Sequence, residues 1–136
     1  MKLEITNLRS INELQQDFNR VYPFLKIEFY KANQDNDNLY KKLSKRQHLV
    51  SSLRIKNAGL TKDGTIEIND SMTVGQLENI FRFEFGLAAQ VSRKSGILWL
   101  ETTMTDNWTL QQQNEHGKEL SEPLRKYKAD EDHPYS

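Results

Sequence analysis

One pattern in this sequence recurs 63 residues later, and that duplication limits the possible folds more than any other feature. Leu3-Glu4-Ile5 aligns with Ile66-Glu67-Ile68, and the register then holds without a gap. Ser10 meets Thr73, Ile11 meets Val74, Leu14 meets Leu77, Phe18 meets Phe81 and Tyr22 meets Phe85. Leu3/Ile5 and Ile66/Ile68 alternate with polar residues, the period of a half-buried strand. Ser10-x-x-Glu13 and Thr73-x-x-Gln76 are capping boxes, which satisfy orphan amides where a helix begins. Ile11, Leu14, Phe18 and Tyr22 fall on one helical face, as do Val74, Leu77, Phe81 and Phe85. Pro23 and Gly86 end the two helices at closely matching points. A second strand is predicted after each stop, over 25–30 and 88–93.

A third element follows. Ser92-Arg93-Lys94-Ser95-Gly96 predicts a hairpin turn. Ile97-Leu98-Trp99-Leu100-Glu101-Thr102 is a near-continuous apolar run, expected as a central strand or one covered on both faces. A last, peripheral helix is expected from near Asp106 or Thr109 to His116, anchored by Trp108 and Leu110, with Gly117 as its stop. Residues 31–63 form a polar, basic connection between the halves, and residues 121–136 read as a disordered tail. One domain over 1–120 follows. Two strand–helix–strand units suggest an α+β, ferredoxin-like two-layer sandwich extended by one strand and one helix, with a β-grasp arrangement as the alternative.

Composition then removes several chemistries. The chain has 136 residues, no cysteine and a formal net charge of zero, so disulfides, thiolate chemistry and wholesale phosphate binding are not expected. No apolar run approaches the length of a membrane span, and the first residues lack a signal-peptide pattern, so a cytoplasmic protein without membrane contact is expected. His48, His116 and His133 lie in three segments without ligand spacing, and the calcium-like Asp35-Asn36-Asp37-Asn38 lacks both its turn glycine and its closing carboxylate. Gly59 and Gly64 have the spacing of a phosphate loop but not its Lys-Ser/Thr. Neither a metal nor any other cofactor is expected.

Three sets of residues remain as candidates. Trp99, Glu101, Asp106 and Trp108 would line a polar cleft if the chain were an enzyme of some unassigned reaction. Lys41, Lys42, Lys45 and Arg46 lie in a basic stretch, reaching to Lys62, that holds no acidic residue; with Arg93 and Lys94 they would contact a polyanion such as RNA or a single strand. In Phe81-Arg82-Phe83-Glu84-Phe85 the outer two rings face the core, while Phe83 lies beside Ile80 on another face. The first copy has Asp17 and Arg20 at the positions of Ile80 and Phe83, so this apolar pair is surplus to the repeat. Cover by the chain's own segments is one explanation, and a homodimer or protein-partner surface is the sharper one.

Gln90-Val91-Ser92-Arg93-Lys94-Ser95-Gly96-Ile97-Leu98-Trp99-Leu100-Glu101-Thr102-Thr103, with Thr105-Asp106-Asn107-Trp108-Thr109-Leu110 after it, resembles the C-terminal block of a family of short, uncharacterised bacterial proteins. The strand from Phe24 to Phe29 is similar to that family's first half. The resemblance implies a small soluble bacterial protein and carries over no site. The expectation from all of this is a non-catalytic cytosolic binding or assembly domain. A nucleic-acid binder and an enzyme are the alternatives.

Overall fold

The structure, a computed structural model, describes residues 1–31 and 48–131, with 123–131 as helical backbone. Its elements are β1 (Lys2–Ile5), α1 (Ile11–Val21), β2 (Leu25–Tyr30), a 3-10 turn (Ile55–Ala58), β3 (Gly64–Glu67), α2 (Val74–Phe85), β4 (Ala88–Ser95), β5 (Leu98–Glu101), a second 3-10 turn (Thr103–Thr105) and α3 (Leu110–Glu131). This is an α+β architecture of helices with two antiparallel sheets, β1-β3 and β2-β4-β5, consistent with a two-layer sandwich. Among the described residues no helix is long and apolar enough to cross a membrane.

The duplication organises the strand pairing. Leu3 lies directly opposite Ile66, its own equivalent at the 63-residue offset. In the larger sheet Ile27 faces Val91 and Glu28 faces Gln90, so the same local two-fold passes between these two pairs. Each strand of the first unit thus pairs antiparallel with its copy in the second. The two helices lay their stripes on one interior: Ile11, Leu14 and Phe18 from α1, and Val74, Leu77, Phe81 and Phe85 from α2, are buried with Leu3, Ile5, Ile27, Phe29, Ile66 and Ile68. Phe29 and Phe81 meet edge to face at 5.4 Å, a favoured geometry for the ring quadrupoles.

Both capping boxes form at the predicted residues, and Thr109 with Gln112 makes a third. A second device supplements them. The first two N–H groups of α1 donate to the carbonyls of Leu53 and Ser51 (2.9 and 2.8 Å). Those of α2 donate to the carbonyls of Trp108 and Asp106 (3.1 and 2.7 Å). Bridges between Ser10 and Arg54 and between Thr73 and Thr109 complete the match. Each unit is therefore strand, helix, strand and a returning segment whose main chain caps the unit's own helix. The buried Ile55 and Leu110 follow the two returning segments at corresponding places.

Two expectations are corrected. The apolar run at 98–101 is an edge strand, not a covered one, because β5 is outermost in its sheet and all four residues are exposed. Nor does α3 stop at Gly117; it continues to Glu131, into residues read as tail. Gly117 allows a close approach: a Cβ there would lie 2.8 Å from Cβ of Phe24 and 3.1 Å from Cγ of Arg93. Amide side chains secure this apolar-poor helix, with Asn114 accepting from the N–H of Phe24 (2.9 Å) and Gln113 from Arg93 (2.9 Å).

Tyr22, at the end of α1, ties the units together by donating to Asp70 Oδ1 at 2.8 Å. Burial, followed by the Asp70 carboxylate, pushes its hydroxyl above the usual phenol range. The folded protein holds that proton more tightly than the unfolded chain does. The resulting stabilisation is complete below pH ~10 and is lost as pH rises from there through the folded value. Tyr22→Phe is expected to cost about 1 kcal/mol at neutral pH. It should also lessen the fall in urea-unfolding stability above pH ~10. Equal alkaline slopes for the two proteins would contradict this assignment.

Candidate functional site

Strand alternation sorts the three-stranded sheet into two faces. Leu25, Ile27 and Phe29 share the inner face with Ala89, Val91 and Arg93 of β4 and with Leu98 and Leu100 of β5. The other face carries Lys26, Glu28 and Tyr30, then Gln90, Ser92 and Lys94, then Trp99 and Glu101. Most of the chemistry-bearing side chains in this sheet thus lie on one surface.

A polar chain crosses that surface. Tyr30, almost fully buried, donates to Glu101 Oε1 at 3.0 Å and lies 2.8 Å from His48 Nε2. When His48 carries its proton on Nε2 the ring donates to the Tyr30 oxygen, which leaves the Tyr30 proton for Glu101. His48 Nδ1 is 3.8 Å from Glu28 Oε2, and Lys26 Nζ is 2.7 Å from the other oxygen of Glu28. Beside this chain, Asn12, Gln15, Gln16 and Asn19 of α1 face Lys26, Ser51 and Trp99 across a groove of about 390 Å³. The Trp99 ring has Lys26 Nζ at 6.0 Å and Lys94 Nζ at 5.9 Å from its centroid, both within cation–π range.

The two edges of the sheet are treated differently. At β2 the outward carbonyls are all occupied: Leu25 by Asn19 Nδ2 (3.0 Å), Ile27 by Gln15 Nε2 (2.8 Å) and Phe29 by the N–H of Leu49 (2.8 Å). On β5 the Thr102 N–H donates to Val91, so the backbone of alternate residues, Leu100 and Leu98, points toward β4. The N–H and C=O of Trp99 and Glu101 then point away from the sheet, and no hydrogen bond meets them among the described residues. Their neighbours are apolar, with Ile97 77%, Leu98 60% and Leu100 43% exposed. Proteins usually blunt such an edge with charge, proline or a bulge, and this one carries none at 97–100.

The candidates from the sequence are distributed accordingly. Lys41, Lys42, Lys45 and Arg46 lie outside the described residues. Arg93 and Lys94 point to opposite faces, Arg93 toward Gln113 and Lys94 toward Trp99, so they do not form one patch. Trp99 and Glu101 share the polar face. Asp106 instead supplies its carbonyl to α2, and the Trp108 ring meets His116 at 5.5 Å. No hydrogen bond, ion pair or ring contact among the described residues joins Asp106 or Trp108 to Trp99 or Glu101. Ile80 is partly buried against the core, whereas Phe83 is 75% exposed. Sequence reasoning did not single out Gln15, Asn19 or Tyr30, and it weighed His48 only as a metal ligand. The one available signal was the amide stripe at 12, 15, 16 and 19, whose helical spacing matches a single face. No family model, curated protein or solved structure matches this chain.

The closed edge gives a direct test. Gln15→Ala with Asn19→Ala removes both amide covers, at a cost of about 0.5–1.5 kcal/mol each. A lowered urea midpoint with an unchanged m-value is the expected result. An unchanged midpoint would show that these hydrogen bonds contribute nothing net.

Proposed function

We propose that this chain is a non-catalytic, cytosolic binding or assembly domain that accepts an extended polypeptide on the open edge of β5. The observation that supports this most is the contrast between edges: three hydrogen bonds meet the β2 carbonyls, while the outward main-chain groups of β5 have no partner among the described residues and lie beside exposed apolar side chains. Strand addition uses both, main-chain bonds for affinity and alternate side chains for specificity. The non-catalytic reading is supported by Glu28 and Glu101 being held by Lys26 and Tyr30. The cytosolic setting is supported by the cysteine-free composition and by the absence of an apolar run of membrane-span length. The ferredoxin-like reading of the fold belongs to the same proposal. The two matching units and the antiparallel β1-β3 pair support it, whereas β2 and β4 depart from it by pairing with each other in a separate sheet instead of flanking the central pair.

A peptide with the sequence of residues 96–102 is the probe. Titrated into the labelled protein, it is expected to shift the Trp99 and Glu101 amide resonances, and Trp99→Pro is expected to abolish the effect. Proline at an outward-facing edge N–H is compatible with the strand itself. Absence of any shift at these amides would overturn the proposal.

A second reading, single-strand nucleic-acid binding, is favoured by one arrangement, the partly exposed Trp99 ring flanked by two ammonium groups. Bases stack on such a ring while lysines hold phosphate. It predicts quenching of Trp99 fluorescence by oligonucleotides that weakens steeply with salt and is reduced at least severalfold by Lys94→Glu. Quenching that is absent or salt-independent ends this reading.

A further inference from the structure

We infer that the polypeptide taken up at β5 is the β5 strand of a second copy of this chain, paired antiparallel about Trp99. The inference rests on the strand-addition proposal and names its partner. Two-fold pairing at Trp99 sets Trp99 against its own counterpart on the polar face, and Leu98 against the counterpart of Leu100 on the inner face. Apolar residues with 60%, 38% and 43% exposure at Leu98, Trp99 and Leu100 thereby cover one another. Ile97 falls opposite Glu101, and no like charges are placed directly opposite, the arrangement that destabilises a strand pair.

The hydrogen-bonding phase also fits. The backbone groups of Trp99 point outward, so a pair centred there exchanges both of its N–H···O=C bonds, and the sheet grows from three strands to six. With zero formal net charge, the two copies meet no overall repulsion.

Closure selects this partner over open-ended growth. A β5 edge could otherwise add to the β2 edge of the next molecule, a head-to-tail contact that generates fibres. Asn19, Gln15 and Leu49 already donate to the β2 carbonyls, so that contact would have to share or displace these partners. Within this three-stranded sheet, one open and one covered edge favour the isologous pair, which closes at two. The chain already uses the same device internally, since β1 with β3 and β2 with β4 are antiparallel pairs of equivalent strands.

The test is the mass of the full chain by light scattering over about a hundredfold range of concentration, as a small interface of this kind demands. The expected result is a rise from one to two chain masses and no further. Leu98→Lys with Leu100→Lys, and separately Trp99→Pro, should hold the protein at one chain mass with unchanged circular dichroism, while Phe83→Asp should still dimerise. A strict monomer that still binds the 96–102 peptide would overturn the second-copy inference alone; a monomer that ignores the peptide would overturn strand addition as well. A dimer dissociated by Phe83→Asp and not by the β5 variants would move the interface to α2.

Discussion

The backbone's need for hydrogen-bond partners, at helix starts and along sheet edges, governs this molecule more than any side-chain contact does. A helix leaves its first amides without intrahelical acceptors, and a sheet leaves two rows of unpaired groups. Here α1 and α2 meet the first problem twice over, with a capping box and with carbonyls from a returning segment. That second device fixes where 51–53 and 106–108 must lie. It also draws Ile55 and Leu110 into the core behind them.

The copies diverge where they handle the sheet. Gln15 and Glu78 occupy equivalent positions, and each serves its own unit's strand with opposite polarity. Gln15 donates to the Ile27 carbonyl, and Glu78 accepts from the Val91 N–H at 2.9 Å. Around Gln15 the first copy adds Asn19 and Leu49 to close the β2 edge. The second copy continues β4 into the β5 hairpin and so moves the edge outward. The open row at β5 follows from that divergence, as does the groove between the amides of α1 and Trp99.

Much of the fold was readable because side chains specify it. Phe18 and Phe81 could be placed in the interior from spacing alone, and Ser10-x-x-Glu13 marked a helix start that the structure reproduces. The returning segments were not readable because they act through carbonyls, which every residue supplies. Ser51-Ser52-Leu53 and Asp106-Asn107-Trp108 share almost nothing in sequence. The apolar run at Leu98-Trp99-Leu100 misled for a related reason, since residues covered by the chain's own core and residues left for another chain have the same composition. Trp99 and Lys94 were candidates from the sequence, whereas Tyr30 was read only as a strand residue and His48 only as a histidine without ligand spacing. A strand-end tyrosine and a lone histidine carry no pattern until β2 and the chain at 48 are brought side by side.

Residue-resolved hydrogen exchange tests this account most directly. First-turn amides normally exchange freely, but the amides of Ile11, Asn12, Val74 and Gly75 are predicted to be protected nearly as well as those in the middle of α1 and α2, in two matching pairs. Exchange at those four positions as fast as in an uncapped helix would show that the returning segments are not docked, and the duplicated unit described here would be wrong.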